Sequence, residues 1–206
     1  MVRNRVPKGK KINRKTTIYC EGYTEKHYLV MLKNKYRKSN VKIDIKPMHK
    51  SCCELVKKAE NTEKSKPSDR VYIIFDKDSH QASEIETAIN SANKNKFTVI
   101  YSNNSFELWL ISHFSPITSP INNKDLNRKL EKELNVSNWK KFKNEKFENI
   151  ETQFVDNVTT AYGNLKAHQA EKQDVNNKGN KINIINKNPY TNLHMWIKEI
   201  YNISVL

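Results

Sequence analysis

Apolar and polar positions change their period along this chain, and the changes divide it. Residues 17–21 (Thr17-Ile18-Tyr19-Cys20-Glu21) and 70–76 (Arg70-Val71-Tyr72-Ile73-Ile74-Phe75-Asp76) are short, nearly unbroken apolar runs, the pattern of strands buried on both faces. Val41-Lys42-Ile43-Asp44-Ile45 alternates with period two, as a half-exposed strand does, and residues 97–101 form a further strand. Between these runs the period lengthens to that of a helix. Tyr28, Leu29, Leu32 and Tyr36 mark one face of a helix over about 25–38, with Thr24 as its cap. Ser51 opens a second helix through about residue 63, and others are expected near 83–94 and from Ser105 to Phe114. Such alternation predicts an α/β fold with a largely parallel sheet flanked by helices.

The pattern shifts after residue 114. Residues 115–123 (Ser-Pro-Ile-Thr-Ser-Pro-Ile-Asn-Asn) are turn-rich and mark a boundary. Beyond them the periodicity is helical over about 124–135, 151–173 and 191–201, with a polar loop at 174–189. Residues 1–16 hold seven basic residues and no acidic one, the composition of a disordered basic arm. The expected organisation is thus an arm at 1–16, an α/β domain at 17–115 and a helical C-terminal region at 116–206 packing on it.

Charge changes the picture next. Thirty-seven Lys plus Arg stand against 22 Asp plus Glu, a formal net charge of +15 that favours a nucleic-acid partner. Part of the excess reflects an abundance of Lys, Asn and Ile that AT-rich coding produces in any protein. No apolar run approaches the roughly 20 residues that span a bilayer, and the basic start lacks the apolar stretch of a signal peptide. A cytoplasmic protein without membrane contact is expected. Cys20, Cys52 and Cys53 form no disulfide framework and lack the paired spacing of a zinc site.

The candidate chemistry lies where the apolar runs stop. Glu21 ends the first buried strand, and Asp76 and Asp78 end the third, each at the strand end where parallel α/β sheets bind ligands. Apolar neighbours cannot solvate a carboxylate, so these groups must be wet, paired or bound to a cation. All-oxygen donors suit Mg²⁺ or Mn²⁺, and such an ion would face a phosphate backbone. Glu25 falls in the first turn of the next helix, where the helix dipole alone favours a carboxylate. Glu107 opens a mostly apolar helix and needs either the metal or a basic partner. Ser102 and Asn103 are expected at the same rim. With Lys77, between the aspartates, and His113, near the end of the Glu107 helix, they are candidate substrate contacts. A His in that position is more often a structural hydrogen bonder. Lys129, Lys132, Lys140, Lys141, Lys143 and Lys146 intersperse with Trp139, Phe142 and Phe147. That pattern fits a nucleic-acid surface or an amphipathic helix with solvated lysines, and the second is the simpler reading.

The four acids Glu21, Glu25, Asp76 and Asp78 together resemble the Toprim domain of topoisomerases, primases and nucleases of the overcoming-lysogenization-defect class. A closer resemblance, to the RloB family, is carried by four blocks. These are Tyr19-Cys20-Glu21-Gly22-Tyr23-Thr24-Glu25, Ile74-Phe75-Asp76-Lys77-Asp78, the run from Tyr101 to Phe114, and Asn188-Pro189-Tyr190-Thr191-Asn192-Leu193-His194. They follow in the family's order over about residues 17–195, with Asn104 standing where the family has Pro. The resemblance implies a Toprim-like sheet and a metal (Mg²⁺ or Mn²⁺) held by Asp76 and Asp78, with Glu21 as a further ligand or as general acid/base; Glu25 and Glu107 complete the candidate catalytic set. It further implies a metal-dependent endonuclease acting on RNA or DNA in prokaryotic antiphage defence, often beside an ATPase partner. The alternative it leaves open is a non-catalytic Toprim-derived module that binds nucleic acid or a nucleotide signal.

Overall fold

Side chains along β1 (Arg14–Cys20) point alternately into two cores, because successive residues of a strand face opposite sides of a sheet. Ile18 and Cys20 enter one core and Tyr19 the other, and β3 (Arg70–Asp76) and β4 (Thr98–Asn103) divide their side chains in the same way. The structure is a computed structural model and describes residues 14–36, 41–145, 151–167, 174–177, 181–201 and 203. With β2 (Val41–Pro47) and the two-residue β5 (Tyr190–Thr191), these strands form one sheet in the order β2-β1-β3-β4-β5. The first four are parallel and β5 is antiparallel. The fold is α/β, as the alternation predicts. Most of the expected basic arm lies outside the described residues, and Arg14–Thr16 already belong to β1.

One face of the sheet is covered by α2 (Cys52–Ser65), α3 (Ala82–Lys94) and α9 (Lys181–Asn186), whose apolar residues include Leu55, Val56, Ile85, Ile89, Ile184 and Ile185. The other face is thicker. It carries α1 (Tyr23–Lys35), α4 (Glu107–Ile111), α5 (Asn123–Leu134), α6 (Trp139–Glu145), α7 (Glu151–Val155), α8 (Val158–Lys166) and α10 (Leu193–Tyr201). Leu126, Leu130 and Leu134 recur every four residues along α5 and form a single buried stripe. Trp109 and Trp139 are fully buried there. Each large apolar side chain so enclosed contributes about 1.5–3 kcal/mol.

The helix expected over about 151–173 is divided into α7 and α8, with 168–173 outside the described residues, and two further stretches depart from the sequence expectation. Residues 181–186, within the expected polar loop, form α9, and Tyr190 and Thr191 pair with β4 before α10 begins. Thr191 still serves the helix start, since its Oγ1 accepts from the Leu193 N–H at 3.4 Å. Beyond this short pairing the outer edge of β4 is closed by side-chain amides. Asn176 Oδ1 accepts from the Val99 N–H at 2.8 Å and Asn192 Oδ1 from the Tyr101 N–H at 2.8 Å. Asp174 Oδ1 accepts from both amide groups, at 2.7 and 2.9 Å. An open strand edge is thereby satisfied without a further strand.

Among the described residues no helix is long and apolar enough to cross a membrane. The three cysteines are free thiols, two of them buried.

Candidate functional site

The order β2-β1-β3-β4 makes the chain leave β1 towards one edge and return towards the other, so the gap between β1 and β3 is a topological switch point. Open α/β sheets leave a crevice at such a point, beyond the carboxyl ends of the strands. Glu21 follows the last residue of β1, and Asp76 is the last residue of β3. A cleft of about 510 Å³ opens here, lined among others by Glu21, Glu25, Asp76, Asp78 and Glu107. All five acids singled out from the sequence line it.

Each acid is positioned by a local reason. The helix after β1 is capped at Gly22, two residues earlier than the expected Thr24 cap, and Glu25 Oε2 accepts the Gly22 N–H at 3.1 Å. A Cβ on residue 22 would stand 3.2 Å from that oxygen, so glycine leaves the carboxylate its room. Asp76 Oδ2 accepts the Phe106 N–H at 2.8 Å, while its buried Oδ1 has no hydrogen-bond partner. Asp78 is exposed, has φ 41°, and takes a 3.3 Å bond from Asn123 Nδ2. Glu107 Oε1 accepts from Lys143 Nζ at 2.6 Å and Trp139 Nε1 at 3.0 Å, both from α6.

The electrostatics separate one acid from the rest. Burial raises the Asp76 carboxyl well above the usual range, and the charges of Glu25, Glu21, Glu107 and Asp78 raise it further. Burial and the neighbouring Glu25 lift Glu21 to about 8, against a hydrogen bond from the Asp76 backbone that lowers it. Glu25 and Asp78 are raised as well, each first by burial. Glu107 moves the other way: burial raises it, but the Lys143 charge and hydrogen bond outweigh this and leave it lowered. So one carboxylate is already neutralised by a lysine and the others repel one another.

Among the described residues no three His, Cys, Asp or Glu side chains close into a ready-made metal cage. The donors nevertheless suit a hard cation of the Mg²⁺ type, which takes one or two carboxylates and keeps several waters. Asp76 Oδ1 is the atom that fits one. A buried acceptor with no donor, beside like charges, is costly unless a cation or proton meets it.

The four candidate substrate contacts lie elsewhere. Ser102 Oγ is 3.2 Å from Thr191 Oγ1, and Asn103 Nδ2 donates to the Ile185 and Lys187 carbonyls at 3.1 and 2.8 Å. Pairing with β5 covers both residues and removes them from the rim. Lys77 Nζ reaches Asn186 Oδ1 at 3.3 Å instead of the cleft. His113 is in the core, with Nε2 3.0 Å from the Tyr28 hydroxyl and its ring against Trp109 and Phe154. Burial lowers its pKa to about 4, so it is neutral near pH 7 and holds structure.

Lys143, Trp139, Asn123, Tyr23 and His49 belong to the site without having been singled out for it. Trp139 is buried and Lys140 and Lys141 are exposed, as an amphipathic helix requires, but Lys143 turns inward to Glu107. Lys146 and Phe147 lie outside the described residues.

The model of one protein family, described as RloB-like protein, matches residues 16–200. The chain belongs to the RloB-like family. The match takes in β1 through nearly all of α10, and so every cleft residue of this RloB-like chain. No curated protein and no solved structure matches it.

The raised acids set a pH dependence. Glu21 has a folded pKa of about 8 against an ordinary 4.5, so the folded form holds a proton that the unfolded chain has lost. Its contribution to stability is full below about 4.5 and is lost as pH rises towards 8. His113 has the opposite sign, but only between about 4 and its ordinary 6.5. In chelator, the melting temperature is therefore expected to fall between pH 6.5 and 8, with a smaller fall in Glu21→Gln. Thermal unfolding across that range checks it, and an equal fall in the variant would remove Glu21 as the cause.

Proposed function

We propose that this protein is a metal-dependent nuclease that hydrolyses phosphodiester bonds of RNA (tRNA among them) or DNA. The observation that carries this reading is the buried, partnerless Oδ1 of Asp76, set among four further carboxylates at the switch point of the sheet. Buried acceptors are ordinarily given a donor. This one keeps a costly open valence towards a cleft, in a chain of net charge +15.

Asp76, Asp78 and Glu21 are the residues to hold Mg²⁺ or Mn²⁺. Bound there, the ion supplies charge neutralisation for the phosphate and a more acidic water. The protein's own groups do the rest. Glu21 serves as a ligand of that ion or as the general base that takes the proton of the attacking water as the water oxygen bonds to phosphorus. The bond from phosphorus to the leaving sugar oxygen breaks, and that oxygen takes its proton from solvent. Glu25 fixes the Gly22 turn that presents Glu21, and Lys143 keeps Glu107 ionised beside the cleft. Surface lysines supply salt-sensitive affinity for the backbone. In this reading the protein acts in prokaryotic antiphage defence, in the cytoplasm and beside an ATPase partner, as the family resemblance implies.

The test incubates the protein with Mg²⁺ or Mn²⁺ and labelled tRNA, single-stranded RNA or plasmid DNA, alongside Asp76→Ala/Asp78→Ala. Cleavage by the native protein alone is expected. Retained binding with no cleavage under either metal would instead indicate a binding module.

A further inference from the structure

The cleft has a second chemistry on its lip. Tyr23, the first residue of α1, is the exposed large apolar side chain among the described residues, at 53%. It lines the same cleft as Asp76 and Asp78. Single exposed aromatics need no explanation, but this one has company. The ring of His49, also exposed and also lining the cleft, lies 4.6 Å from it at 57°. Lys26 Nζ is 5.7 Å from the Tyr23 ring centroid. The pair is fastened to the acidic strand tip. The His49 N–H donates to the Glu21 carbonyl at 2.9 Å, and Tyr23 is two residues from Glu21.

Exposed π-faces beside a cation are what proteins use to hold unpaired bases. Stacking is indifferent to sequence, because every base has a π-face. A base inside a duplex is already stacked and paired, and presenting it costs a few kcal/mol. We propose that Tyr23 and His49 form a stacking platform for an unpaired nucleobase next to the phosphate held at the acids, so that the cleft takes single-stranded nucleic acid in preference to duplex. This rests on the nuclease reading for the phosphate position, though the platform itself is a binding claim. Lys140, exposed and lining the same cleft, supplies positive charge there.

The test measures binding of fluorescein-labelled 12-nucleotide single strands, the matching duplex and an abasic strand, by anisotropy in Ca²⁺. Native protein, Tyr23→Ala, Tyr23→Phe and His49→Ala are compared. Tyr23 is exposed, so its variants should keep the fold, which circular dichroism checks. Tyr23→Ala is expected to lose about tenfold in affinity for the single strand. Tyr23→Phe should retain it, and duplex and abasic strands should bind native and Tyr23→Ala alike. His49→Ala should show a smaller loss with the same pattern. Equal single-strand binding by native and Tyr23→Ala protein would overturn the platform, as would tighter native binding to duplex or a Tyr23→Ala loss equal on abasic strands. The two readings fail separately. A native protein that cleaves nothing but binds through Tyr23 keeps the platform and loses the nuclease. Metal-dependent cleavage with single-strand binding indifferent to Tyr23 does the reverse.

Discussion

Asp76→Asn is expected to reduce cleavage at least about 10³-fold and, without divalent cations, to make the protein more stable. Both effects come from one geometry. Asn keeps the shape of Asp and an oxygen for the Phe106 N–H that Asp76 Oδ2 accepts at 2.8 Å. Its amide replaces an oxygen that has no donor and that Glu25, Glu21, Glu107 and Asp78 all repel. Relief of that repulsion should contribute about 1 kcal/mol, near 2–4 °C in melting temperature for a chain of this size. An enzyme commonly holds such strain where function requires it. A variant both inactive and less stable would point to a structural Asp76, and one that still cleaves would remove it from the reaction. Thermal unfolding in chelator, beside the cleavage assay, separates these cases.

Lys143→Met should have the largest effect on stability. Glu107 is 7% exposed, and its Oε1 takes a 2.6 Å bond from Lys143, whose side chain is 27% exposed. Without the lysine, the neutral donors Trp139 Nε1, at 3.0 Å, and Ser105 still meet the carboxylate, but a buried charge stands unpaired by any cation near Asp76 and Glu25. Breaking a buried pair from one side costs about 3–5 kcal/mol. Lys143 is partly exposed, so the low end, about 3 kcal/mol, is expected. That is roughly 6–12 °C of melting temperature. The double variant Glu107→Gln/Lys143→Met removes both charges and should recover more than half of the loss. A double variant as unstable as Lys143→Met alone would show that Lys143 acts through packing of its stem and not through Glu107.

The pair also shows what could be read in advance. β1 and β3 announce themselves because an apolar run that halts at a carboxylate is readable from residue types alone, and Glu21 and Asp76 follow from it. Their adjacency across a switch point needs only the usual topology of alternating strands and helices. Lys143 was not legible as a partner. It stands in the lysine-rich run Lys140-Lys141-Phe142-Lys143, and only the packing of Trp139 beneath α4 decides which lysine points inward. The rim position expected for Ser102 and Asn103 failed for a related reason. β5 is two residues long, too short to show alternation, and its pairing with β4 closes that part of the rim. Tyr23 and His49 come from different segments, and no local pattern marks a ring pair formed across a sheet. Long-range contact decides each of these, which periodicity does not encode.

In the proposed mechanism the acids at the tips of β1 and β3 hold a divalent cation. This is tested most directly by titrating Mn²⁺ into metal-free protein and following the free-ion signal by electron paramagnetic resonance, for the native chain and Asp76→Asn. Saturable binding by the native protein is expected at pH 8, weaker binding at pH 6.5 where Glu21 holds its proton, and loss of the site in Asp76→Asn. Saturable binding that survives Asp76→Asn, or no binding by the native protein, would contradict it.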